Sequence, residues 1–362
     1  MALHTRPAAW APRPARPARG PAGRRRWAGA RCAPGGEGAP AADVNFLPAL
    51  GSSLSMSQGG GEPDAVAGEQ KLPLFPLGST AYLPHSSHVL NIFEPRYREM
   101  YNDILMNGSR RFVVAMVHPA DGRVAETGAV FYLSDLKEVS EQTGDQIKYV
   151  CKHEVVGRVN ISRVLNPEAW RDRSTYLRVA CEPLEDADVE AETSGLERDV
   201  VEALGAVVRL QSELGEALHF TDEVMKTASA ARGEGGLWGI VALLQEFAQQ
   251  KLIQSQSEVE QSIQGLLQEF VKNRGVDPGS GGQIKLNFQD LPEELQAELA
   301  RLQSSYDEDV RPAMLEFSLK YQGVLACGTH EGRLRMVKDV LEEEKKVLEA
   351  KASLKALFAE GD

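Results

Sequence analysis

Cysteine is scarce in this chain, with four in 362 residues. Cys32, Cys151, Cys181 and Cys327 are too few and too scattered for a disulfide framework, which fits a reducing or mixed compartment. No C-x-x-C pair is present, so a zinc module built on such pairs is excluded. A Gly-Lys dipeptide is also missing, and without it there is no phosphate-cradling P-loop and no AAA+ nucleotide engine. No G-x-S-x-G elbow occurs, and His153-Glu154 and His330-Glu331 both lack the second histidine of H-E-x-x-H. Long apolar runs are absent as well. The longest, near Leu237 to Leu244, is interrupted by Gly239 and falls far short of a membrane span.

Positive charge is scarce outside one segment. Residues 1 to 42 hold eight arginines against Glu37 alone, a balance of +7, so the rest of a chain with total charge −12 carries −19. An acidic body repels phosphate backbones and gains nothing from counterion release, which argues against general nucleic-acid binding. The segment 1–42 is rich in Arg, Ala and Pro, the composition of an organellar transit peptide. Its early prolines would break the amphipathic helix of a mitochondrial signal, so the expected address is the chloroplast stroma, with the mitochondrion as alternative. An unstructured tail without an address has the same composition. Residues 43–70, with Ser52 to Ser57 and Gly59 to Gly61, read as an unstructured lead-in.

The chain is organised around Lys71 to Met100, KLPLFPLGSTAYLPHSSHVLNIFEPRYREM. Leu72, Leu74, Phe75 and Leu77 alternate with Pro73 and Pro76, a pattern that fits an edge strand or an irregular sheet entry. Thr80 to Leu83 resumes the strand pattern, and a third apolar run, Val89 to Phe93, leads into Glu94-Pro95. Pro95 suits the first position of a helix, Tyr97, Tyr101, Ile104 and Leu105 follow at helical spacing, and Gly108 fits its left-handed end. Further strands are expected at Arg111 to Val117, Val130 to Leu133, Leu136 to Val139, Ile147 to Val150, Val155 to Ile161 and Tyr176 to Cys181. Thr143-Gly144-Asp145 marks a hairpin tip and Asn166 to Ser174 a polar loop.

L-P-L-F-P-L, a proline-ended strand and I-F-E-P-R-Y-R resemble the opening of the Lon protease N-terminal domain family in its stand-alone form. The likeness continues through Arg111-Phe112-Val113-Val114, Gly128-Ala129-Val130, Gly157-Arg158-Val159 and Tyr176-Leu177-Arg178-Val179. It implies a PUA-like β pseudo-barrel with one early helix over residues 71–190, and a role in selecting polypeptide substrates. The motif around the Lon protease serine has no counterpart here.

The acidic stretch from Glu182 to Thr193 reads as a joint, and residues 194–362 as a helical region, so the fold class is α+β. Ser194 to Glu197 has the form of a capping box, ahead of Leu196, Val200, Leu204, Val207, Leu210, Leu214 and Leu218 at helical spacing. Leu237 to about Arg274 is periodic and is either one helix or two broken near Ser255. Gly275 to Gly282 reads as a flexible loop, Asp290 as the cap of a further helix, and Thr329 to Phe358 as the last, with Leu334, Val337, Leu341, Leu348 and Leu354 on one face.

Phe75, Leu77, Tyr82, Phe93, Arg96 and Tyr97 are the candidate residues for contacting a polypeptide. Apolar side chains such as Phe75, Leu77, Leu90 and Phe93 serve cores as readily as contact surfaces, and the core is the expected place for Phe75. Glu94, Arg96 and Arg98 are expected to pair with one another or with nearby acids. His85 and His88 have no carboxylate or cysteine nearby to complete a metal shell and read as solvent-facing loop histidines. No catalytic residue, metal or cofactor is expected, and the sequence leaves oligomeric state open. The leading reading is a non-catalytic module that binds unfolded or partner polypeptides, in plastid protein quality control. An RNA-binding PUA-like protein and a helical assembly scaffold are the alternatives.

Overall fold

The computed structural model describes residues 44–50, 68–78, 80–188, 192–220, 234–273 and 291–359. The arginine-rich leader, most of the lead-in, the Gly275–Gly282 loop and Asp290 lie outside the described residues.

Among the described residues six strands form the β part: β1 (Gln70–Gly78), β2 (Ser87–Ile92), β3 (Arg111–Val117), β4 (Val124–Glu138), β5 (Tyr149–Val164) and β6 (Leu177–Pro183). Their order is β2-β5-β4-β3-β1-β6, and β6 pairs back onto β5, so five strands close a barrel and β2 is appended at one edge. All pairings are antiparallel except β1 with β3. β1 serves two neighbours in succession. Gln70 to Leu74 pairs with β6 and Leu74 to Gly78 with β3, so Pro73 and Pro76 each lie where one flank of the strand has no ladder to donate to. The outermost strand is therefore β2, not β1.

The strands expected in pieces over 130–139 and 147–161 are two long ones. β4 and β5 shift register at Val130/Phe131 and Leu133/Asp135, and such bulges disturb the alternation that sequence patterns rely on. Gly128 lets β3 and β4 approach closely, because a Cβ there would press into Val113 Cγ1. The expected strand at Thr80 to Leu83 does not form. Ala81 and Leu83 are buried instead against the helical region, and Gln245 Nε2 donates to the Ala81 carbonyl at 2.9 Å. Residues 44–50, expected to be unstructured, dock on the barrel: Phe46 bridges to Ala125, Leu47 N–H donates to Val124 O, and Leu47 and Leu50 are buried.

Helix α1 (Pro95–Met106) starts on Pro95 as expected, and Gly108 is left-handed at φ 73°. Its Tyr97, Met100, Tyr101 and Ile104 pack on Phe75, Phe112, Val114 and Phe131. Leu74 and Val113, on the opposite face of the same strands, join a second cluster with Ile161, Leu177 and Val179. Both faces of β3 are thus buried, which explains its unbroken apolar run. Two one-turn helices, α2 (Ser140–Thr143) and α3 (Ala169–Asp172), lie in connections, and α3 turns part of the expected polar loop inward through buried Ala169.

The helical region comprises α4 (Ser194–Leu214), α5 (Glu234–Asn273), α6 (Glu293–Ser305), α7 (Arg311–Ala326) and α8 (His330–Ala359). Thr193, not Ser194, is the N-cap of α4, and Ser194 Oγ turns to Glu192 instead. Gly215 ends α4 in the left-handed conformation, leaving Leu218 beyond it. α5 is one unbroken helix through Ser255, since no glycine or proline stands there to stop it. α6 runs into α7 through a π-helical turn, Tyr306–Val310. Val200, Leu204 and Val207 of α4, Trp238 and Val241 of α5, Tyr321 and Val324 of α7 and Leu334, Val337 and Leu341 of α8 share one core. Leu354, expected on that buried face, is 55% exposed.

Candidate polypeptide-binding site

The six residues singled out in the sequence divide between core and surface. Phe75 and Tyr97 are buried and stacked, with ring centroids 4.0 Å apart. Leu77 and Tyr82 are half-buried against the same cluster. Arg96 lies 4.6 Å over the Tyr97 ring and donates from Nε to Glu94 at 2.9 Å, so its head is held by structure. Phe93 is 56% exposed and stands apart from the other five. Arg98 forks onto Asp145, as its pairing with a nearby acid foretold.

The H-x-x-H histidines also separate. His85 is exposed in a turn, but His88 lies on β2, half-buried, with its ring stacked on Phe131 and Nε2 2.7 Å from Ser86 Oγ. Strand pairing sets His88 opposite His153, which is fully buried. His153 Nε2 shares a 2.7 Å hydrogen bond with Tyr101 Oη, and burial pushes the His153 pKa down to about 4. Among the described residues no group of three or more His, Cys, Asp or Glu is arranged to hold a metal. Cys151 and Cys181 are buried thiols whose pKa values burial raises, to about 12 and about 11.

Sequence reasoning missed the concave feature where the barrel meets the helices. A cleft of about 710 Å³ is floored by β5 at Val156 to Val159 and walled by Gln70 and Leu72 of β1, Arg111 of β3 and Val130 of β4. Leu184 to Asp186, Asp188, Glu197 of α4 and His330 of α8 complete it. Val156 falls at the register shift between β4 and β5, and its side chain is 48% exposed. A Cβ added to Gly157 meets nothing within 4 Å, so the floor is open there. Apolar Leu72, Val130, Val156 and Leu184 line it together with charged Arg111, Glu185 and Glu197, a lining that suits an extended chain with mixed side chains.

A buried ion cluster fixes the cleft's geometry. Arg158 donates from Nη2 to Asp186 at 2.7 Å and from Nη1 to the carbonyls of Leu325 and Cys327 at 2.8 Å each. Arg333, also fully buried, pairs with Asp186, and both guanidinium groups lie over the ring of buried Trp238, at 5.3 and 4.8 Å. Burial works to raise the Asp186 pKa, but Arg333 and Arg158 together hold its carboxyl below the ordinary range. Asp188 accepts from the N–H groups of His330 and Glu331 and so caps α8. Gln322 Nε2 adds a bond to the Thr127 carbonyl on β4. Within the expected joint, Asp186 and Asp188 tie Arg158 of the barrel and the start of α8 together.

No family model and no curated protein matches the chain. Among solved structures, it is similar to the Lon N-terminal domain protein from Xanthomonas campestris, at 24% identity and TM-score 0.28, over 44% of this chain and 89% of that one. It is also similar to the N-terminal domain of Mycobacterium avium complex Lon protease, at 11% identity and TM-score 0.30, over 40% of this chain and 69% of that one.

Proposed function

We propose that this chain is a non-catalytic polypeptide-recognition module that holds extended segments in the cleft between its barrel and its helices. The observation that carries this reading is the cleft itself. It offers a bulged strand, an open glycine floor and mixed apolar and charged walls on a base fixed by the Arg158–Asp186–Arg333 cluster. The sequence resemblance to substrate-selecting domains points the same way. The Arg-rich leader supports a plastid address, and a role in protein quality control there accords with recognition of unfolded chains.

Hydrogen exchange of the full chain with and without casein, an unfolded polypeptide, tests the assignment. Protection is expected at the amides of Val156 to Val159 and Leu72, with casein left intact and no ATP turnover. Protection confined to the exposed β2 edge at Val89 to Phe93, or casein cleavage by highly purified protein, would contradict it.

A further inference from the structure

Helix α5 changes character along its length. Its first turns bury Leu237, Trp238, Val241, Leu244 and Gln245, but beyond Gln245 none of its described side chains is fully buried. Val259, Ile263, Leu266 and Phe270 follow at four-, three- and four-residue steps, the spacing of a coiled-coil seam. α6 and the π-helical turn after it, which pack against α5, repeat that spacing in Leu295, Leu299, Leu302 and Tyr306. All eight are half-buried, so the two helices cover each other's seam in part. The next residue round from the seam, Leu267, is also half-buried, and Ile253, nearer the core, is 55% exposed.

The margins of this arm are predominantly acidic. Residues 254–273 and 293–310 hold nine carboxylates against Arg301 and Lys272, a net charge of −7. Glu260 and Glu269 border the seam on α5 and are exposed. A second copy of this chain would bring two such acidic arms together, which like-charge repulsion opposes. We propose that the arm is a docking surface for a basic amphipathic helix of a partner protein, whose apolar stripe joins the seam while its lysines or arginines meet the carboxylate margins. The two terms together specify the partner: the seam requires heptad apolar spacing, and the margins select cations and reject acids.

The test uses the full chain and two synthetic helical peptides of about three heptads, both with leucine at the seam positions, one flanked by lysine and the other by glutamate. Fluorescence anisotropy should show binding of the lysine peptide and none of the glutamate peptide, with affinity falling between about 50 and about 200 mM salt. The exposed pair Glu260→Gln/Glu269→Gln, which leaves the packing untouched, should weaken binding several-fold and flatten its salt dependence. Ile263→Ser/Leu266→Ser should weaken it at least about tenfold while the far-UV circular dichroism of the folded chain is unchanged. Equal binding of both peptides, or binding unaffected by the serine pair, would overturn the proposal. A wild-type dimer that dissociates on the serine substitutions would overturn it too, by giving the seam to a second copy.

Discussion

The stacked pair Phe75 and Tyr97 joins β1 to α1, so Phe75→Ala should leave a cavity and cost about 3 to 5 kcal/mol, seen as a large fall in Tm. A change in polypeptide affinity without a change in melting would place Phe75 on the contact side after all. His153 carries a pH signature. Its folded pKa lies below the unfolded value, so the unfolded chain binds more protons between the two. Stability that is complete above about pH 6.5 should therefore fall by about 3 kcal/mol as pH drops through 6.5 to about 4. Chemical denaturation across that range should show the loss, and His153→Gln should flatten it. At this scale the sequence was readable where the signal is local: Pro95 and Gly108 announce the ends of α1 whatever surrounds them. His88 was misplaced because two residues beyond a turn and two residues into a strand have the same local composition, and its pairing with His153 is not local.

At the scale of elements, register and close approach decide. Gly128→Ala should set a methyl against Val113 Cγ1 and 3.1 Å from the Val114 carbonyl, spreading β3 from β4 at a cost of about 1 to 3 kcal/mol in urea denaturation. Gly157→Ala, with open space around its Cβ, should cost far less, and equal costs would refute the packing argument. The barrel and the helical region were legible as elements because β-branched runs and heptad spacings are periodic. Thr80 to Leu83 was not, since a short apolar run looks the same whether it enters a sheet or docks on helices; Ala81 and Leu83 chose the latter only because α5 and α8 offer a core there. The length of β5 was hidden by its bulges, and the continuity of α5 by a run of Ser and Gln that lacks apolar periodicity.

For the whole molecule, the barrel and the helices should unfold together, because Asp186 joins Arg158 of β5 to Arg333 of α8 in a buried cluster. Asp186→Ala would leave two guanidinium groups buried without their carboxylate and should cost about 3 to 5 kcal/mol, with one calorimetric transition becoming two. The pH signs are distinct. Asp186 has a depressed folded pKa, so its contribution is present above its ordinary value and is lost as pH falls below it, under the His153 window. None of this could be read from the chain, since partners 28 and 147 residues apart leave no mark in local composition. The cleft shares that origin, being made where β1, β3, β4 and β5 meet α4 and α8.

The central claim is that this cleft holds extended polypeptide, and Gly157→Leu tests it most directly, because Gly157 lies on the cleft floor and a Cβ added there meets nothing within 4 Å. Melting and casein affinity should be measured on the same preparation of the full chain. The account predicts an unchanged Tm within about 1 kcal/mol of stability and an affinity at least about tenfold weaker. Unchanged affinity in a chain that melts like the wild type would contradict it.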